Sequence, residues 1–127
     1  MKFSKHPCRF IFIAYLCVQS AFLLALDVPP MNGPVNDYAH IFTANETQEL
    51  NAYLYSIDRQ SDLQIAVLTI PSLEGESIED YSISVAEKWQ IGQKGKDSGV
   101  ILVIAAQDRK LRIEVGYGLE DRITDAQ

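Results

Sequence analysis

Residues 92–125 read GQKGKDSGVILVIAAQDRKLRIEVGYGLEDRITD, and this stretch decides the fold. Val100 to Ala106 is an unbroken apolar run bounded by turn signals, the pattern of a buried strand. Gln107 to Lys110 turns the chain. Leu111, Ile113 and Val115 then alternate with Arg112 and Glu114, so the next strand buries one face only. So short a turn makes the two strands antiparallel. Gly116-Tyr117-Gly118 closes the hairpin, and glycine there permits positive φ or a close backbone approach.

Working upstream, Leu63 to Ile70 (LQIAVLTI) is another apolar, β-branched run, and Pro71 to Glu76 turns the chain. Between the two buried strands lies a helical pattern. Ser77 caps it with Asp80 three residues on, and Ile78, Tyr81, Ser82, Val85, Ala86 and Trp89 share one face. A strand-helix-strand unit of this kind pairs in parallel. Further upstream, Thr43 and Glu46 have capping-box spacing, and Leu50, Tyr53, Leu54 and Ile57 give a second helix its apolar face, ending near Ser61. Val35 to Phe42 (VNDYAHIF) reads as a short apolar-polar mix leading into that helix. The order is helix, strand, helix, strand, strand. The expected fold class is α/β, a small mixed β-sheet layered between α-helices. Ile123 to Gln127 looks like the first turn of one more helix, so the final helices are expected to be missing and the apolar side of Leu111, Ile113 and Val115 uncovered.

The chain has 127 residues, enough for one domain. Its first part reads differently. Lys2, Lys5 and Arg9 precede an apolar run from Phe10 to Leu26, the plan of a secretory signal peptide over residues 1–26. Cleavage after Ser20 or Ala25 and retention as a short anchor are both open. Cys8 and Cys17 lie inside that segment, so a cleaved product has no thiol chemistry. Residues 27–34 (DVPPMNGP) hold three of the five prolines and read as an extended linker, with the domain running over 35–127 and incomplete at its C-terminal end.

The net charge is −6; without Lys2, Lys5 and Arg9, eight basic face seventeen acidic residues, a net of −9. Such a surface repels nucleic acid and anionic lipid and attracts divalent cations and basic partners. His40 is the single histidine beyond the signal, which argues against phosphohistidine chemistry and a typical zinc site. No phosphate-binding glycine loop, nucleophile elbow or Asp-x-Asp pair is present.

Carboxylates remain. The topology gathers Asp97, Glu120, Asp121 and Asp125 at the edge where the parallel strands begin, and Glu74, Glu76 and Asp108 at the opposite edge. Asp37 reaches either. Three or four carboxylates with glycine carbonyls suit a hard cation, Ca²⁺ above all and Mg²⁺ second.

These residues also resemble a known family. Val35-Asn36-Asp37-Tyr38-Ala39, Gln64-Ile65-Ala66-Val67, Ser72-Leu73-Glu74-Gly75, Trp89-Gln90-Ile91-Gly92, Lys96-Asp97-Ser98-Gly99-Val100 and Glu114-Val115-Gly116-Tyr117-Gly118-Leu119-Glu120 are similar, in order and spacing, to the TPM domain. That family includes YgcG-type bacterial envelope proteins and a thylakoid-lumen protein. The resemblance implies a non-cytoplasmic α/β domain with an acidic site that binds Ca²⁺, and for some members a weak acid phosphatase activity. Carried over by motif, the metal-site candidates are Asp37, Asp97, Glu120 and Asp125. Ser98 stands where the family has Asn, and Asp121 where it has Gly. Ligands of open α/β sheets usually sit at the carboxyl ends of parallel strands; the resemblance favours the other edge. The expected function is an exported, periplasmic, extracellular or envelope-associated domain that binds a divalent cation and assists membrane-associated proteins. It would not bind nucleic acid, and would touch the membrane only through an uncleaved signal or a missing C-terminal region. A weak metal-assisted phosphatase, with the catalytic residues unknown, and a nonfunctional fragment are the alternatives.

Overall fold

The computed structural model describes residues 25–92 and 98–116. Expectations concerning the signal segment, Asp97, Glu120, Asp121 and Asp125 lie outside the described residues. The elements in order are β1 (Val35–Asp37), α1 (Ala44–Gln60), β2 (Leu63–Ile70), α2 (Ile78–Trp89), β3 (Ser98–Ala105) and β4 (Lys110–Val115). They form an α/β domain around one mixed sheet of order β1-β2-β3-β4. β1, β2 and β3 run parallel, and β4 returns antiparallel to β3.

β2 is buried on both faces from Ala66 to Ile70, whereas β3 is buried on its α2 side and partly buried on the other. On one face, Ala66, Leu68, Ile70, Ile101, Val103 and Ala105 meet Ile78, Tyr81 and Val85 of α2. On the other, Val35 and Val67 meet Leu54 of α1, with Phe42, Leu50, Ile57, Ile65 and Leu102 around them. Fully burying each large side chain is worth about 1.5–3 kcal/mol. The helices are offset: α1 lies over β1 and β2, and α2 over β3 and β4. No described helix covers the α1 side of β4, where Leu111 and Ile113 are 60% and 56% exposed.

Both helix starts follow the sequence. Thr43 Oγ1 accepts from Glu46 N at 3.1 Å, and Glu46 Oε2 accepts from Thr43 N at 2.8 Å. Ser77 Oγ accepts from Asp80 N at 3.0 Å. α2 stops at Gln90, whose left-handed backbone lets its N–H donate to Ala86 O. Tyr53 departs from the expectation. It sits on the flank of the α1 stripe, beyond the reach of the sheet, and is 63% exposed.

Two other segments differ from the reading of the sequence. β1 is not among the elements that the sequence pattern predicts. Its three residues have no periodicity of their own, and the parallel ladder to β2 makes them a strand. The proline-rich segment 27–34 is extended, but it is bound to the domain. Val28 is buried in the core, Lys88 Nζ donates to Val28 O at 2.8 Å, and Trp89 Nε1 donates to Pro29 O at 2.9 Å. Prolines cannot donate, so this strap is held through its carbonyls.

Candidate functional site

The chemistry-bearing residues sort onto the two ends of the sheet. At the carboxyl end of the parallel strands, Asp37 closes β1. Its Oδ1 accepts from Thr69 Oγ1 at 2.6 Å and from Ile41 N at 3.0 Å; its Oδ2 accepts from Phe42 N at 3.0 Å. Thr69 Oγ1 in turn accepts from Ala39 N at 3.0 Å. One carboxylate thus fixes the whole turn between β1 and α1. Partial burial opposes its charge, but the hydrogen bonds from Thr69, Phe42 and Ile41, helped by His40, prevail and hold the carboxyl below its ordinary value. The preceding Asn36 is a second knot: its side chain accepts from Asn32 N and donates to Gly33 O and Val67 O.

The same end holds the acidic residues expected there. Asp108, in the β3–β4 turn, accepts from Leu73 N at 2.8 Å, and Glu76 accepts from Leu26 N at 3.2 Å. These carboxylates tie loops and the N-terminal strap to the sheet. Beside the Asp37 turn, Ile41, Phe42, Leu50 and Tyr53 with Glu46 and Glu49 line a groove of about 590 Å³. Its floor is apolar and its rim acidic. Asp37 positions one wall by holding the amides of Ile41 and Phe42.

The opposite end is built from backbone. Gly92 has φ of +82°, and a Cβ on it would lie 2.7 Å from Gly99 N. A Cβ on Gly99 would lie 2.2 Å from Ile91 Cγ2 and 2.8 Å from Ile91 C. Gly116 N donates to Gly99 O at 2.7 Å. Gln64, from β2, accepts from Gly92 N at 3.1 Å. The end of α2, the start of β3 and the end of β4 therefore touch main chain to main chain, because none of the three glycines carries a side chain to separate them.

Of the four metal-site candidates, the structure describes Asp37. Asp97, Glu120 and Asp125 lie outside the described residues. Ser98, which follows Asp97, pairs with Leu63, whereas Asp37 pairs with Thr69, six residues further along β2. At ~3.3 Å per residue that separation is roughly 20 Å. Asp37 is therefore at the far end from the Ser98 corner, with both oxygens engaged. Among the described residues no three His, Cys, Asp or Glu side chains are grouped to hold a metal ion. Thr69 was not singled out from the sequence, since its link to Asp37 spans 32 residues. An Asp followed by a short loop and a capped helix does signal local side-chain-to-amide bonding. The close packing at Gly99 had no readable partner.

Comparison with protein families finds that the family model described as the TPM domain matches residues 35–127. Among solved structures, the N-terminal domain of a protein from P. gingivalis, determined by solution NMR, is similar at 30% identity with a TM-score of 0.61. The match covers 72% of this chain and 59% of that one. The N-terminal domain of a protein from Corynebacterium glutamicum, also by solution NMR, is similar in fold at 20% identity and a TM-score of 0.56, covering 81% of this chain and 65% of that one. The chain thus spans less than two thirds of either structure. The search of curated proteins gave no match.

Proposed function

The chain belongs to the TPM domain family, whose model matches residues 35–127, and on that premise we propose an exported domain that binds a divalent cation and engages membrane-associated proteins of the cell envelope. Ca²⁺ is the first choice of cation and Mg²⁺ the second. The ligands are Asp97, Glu120 and Asp125, with backbone carbonyls and water completing the shell. Asp37 serves instead as the anchor of the β1–α1 turn.

The observation that supports this reading is the contact of Gly92, Gly99 and Gly116 at one corner. Both acidic segments start from it. Asp97 lies two residues before Gly99, and Glu120 lies four residues after Gly116. At ~3.5 Å per residue at most, Asp97 and Glu120 stay within roughly 15 Å of the corner along the chain, and Asp125, further along the same segment, within roughly 30 Å. The donor set of three carboxylates is hard oxygen, which suits Ca²⁺. The surplus of acidic residues favours a cation over an anionic substrate. The basic start and apolar run of residues 1–26 support export. The acidic-rimmed groove beside α1 offers a surface for a partner with basic and apolar side chains.

Calorimetric titration of the purified chain with CaCl₂, and separately with MgCl₂, tests the proposal. Saturable one-site binding, tighter for Ca²⁺, is expected. Heats of dilution alone for both ions would remove the cation from the reading.

A further inference from the structure

The sheet has two outer strands, and they are guarded differently. β1 is three residues long and preceded by Pro34, a short edge of the kind that blocks further pairing. β4 is six residues long, has no proline, and nothing among the described residues pairs with its outer side. Its hydrogen-bonding phase follows from the hairpin. Gly116 N donates to Gly99 O, and β3–β4 pairing places Val100 opposite Val115 and Ile101 opposite Glu114. In an antiparallel ladder the bonded residues alternate. Lys110, Arg112, Glu114 and Gly116 therefore turn their main-chain groups toward β3. Leu111, Ile113 and Val115 turn theirs outward, and Leu111 and Ile113 also carry exposed side chains.

The sequence of that edge is self-complementary. Read antiparallel to itself about Ile113, Leu111-Arg112-Ile113-Glu114-Val115 sets Leu111 against Val115, Arg112 against Glu114 and Ile113 against its own copy. The outward-facing residues, 111, 113 and 115, fall opposite one another, as a bonded antiparallel ladder requires. A shift of two residues either way opposes Arg112 to Arg112 or Glu114 to Glu114. We propose that a second copy of this chain docks on β4, strand to strand about a two-fold axis through Ile113, giving one continuous eight-stranded sheet. About six main-chain hydrogen bonds would join the copies. Apolar pairs would close on one face and two Arg112–Glu114 pairs on the other. A closed two-fold contact of this kind uses the same patch twice and leaves no β4 edge for growth.

Within one chain, Arg112 Nε already donates to Glu114 Oε2 at 3.1 Å. A test by single substitution would therefore disturb the fold as well as the interface. Mixing removes that ambiguity. Arg112→Glu and Glu114→Arg each turn both intermolecular pairs from unlike to like charge, while an equimolar mixture of the two variants restores unlike pairs in the heterodimer. Sedimentation equilibrium of the purified chain in chelator, over a concentration series, should show a monomer–dimer equilibrium. Each variant alone is expected to have a dimer Kd weakened about tenfold or more, from two inverted cross-strand pairs. The mixture is expected to return to near the parental value. A parent that stays monomeric throughout the series would overturn the proposal. So would a mixture that associates no better than its components.

Discussion

The two ends of the sheet solve the same problem, joining strands to the loops that connect them, by opposite means. At the Asp37 end, side chains do it: Asp37 receives Thr69, Ile41 and Phe42, and Asp108 receives Leu73. At the glycine end, side chains are removed and the main chain of Ile91, Gly92, Gly99 and Gly116 closes directly. Asp37, which accepts three hydrogen bonds, has about one lone-pair site left for a ligand. A corner made of main chain consumes no carboxylate of its own. Sequence position alone does not separate the two ends, since Asp37 is the last residue of one strand and Asp97 directly precedes the first residue of another.

The comparison is broken most severely at Gly99. Gly99→Ala introduces a Cβ overlapping Ile91, including its main-chain carbon at 2.8 Å, which no rotamer change relieves. About 3 kcal/mol of destabilisation is expected, at the upper end for overpacking. For a domain of this size that lowers Tm by roughly 10–20 °C in a calorimetric scan. A parental Tm would show that the corner has room. Next in size is Asp37→Ala, which strands three donors and should cost about 2 kcal/mol in urea unfolding at pH 7. The effect has a pH signature. The native carboxyl titrates below its ordinary value, so its contribution is complete above the unfolded pKa of ~3.9 and is lost as pH falls through the lower native value. The parent should therefore lose stability faster than Asp37→Asn below about pH 4; parallel acid profiles would contradict the bonded carboxylate. Smallest is Asp108→Ala, which removes one bond to Leu73 N and should cost about 1 kcal/mol. A larger loss would mean that Asp108 holds more than this turn.

Much of this architecture is legible because it is local. The Thr43–Glu46 and Ser77–Asp80 spacings define helix starts within four residues, and the apolar run before Gln107 has the length, β-branched content and flanking turns of a strand. What escaped is held from a distance. β1 exists because β2 offers it a ladder. The strap over 27–34 exists because Lys88 and Trp89, some sixty residues on, reach its carbonyls. Asp37 was legible as a functional carboxylate by resemblance, but its occupation by Thr69 required knowing the sheet register. The grouping of Glu76 and Asp108 with the far edge followed from topology and agrees with where the structure places them. The candidates Asp97, Glu120 and Asp125 fall in segments outside the described residues, and they come from the family resemblance, with the glycine corner as the point from which those segments extend.

The central claim, a divalent cation held at that corner, is tested most directly by the Ca²⁺-dependent rise in Tm of the parent, Asp97→Asn and Asp108→Asn side by side. With Ca²⁺ at a hundredfold excess over its dissociation constant, the parent should gain about 2.7 kcal/mol by mass action. Asp108→Asn, at the other end of the sheet, should start lower and gain as much. Asp97→Asn should keep its starting stability and lose most of the gain. An equal gain in Asp97→Asn, with the gain lost in Asp108→Asn, would put the cation at the wrong end of the sheet and contradict this account.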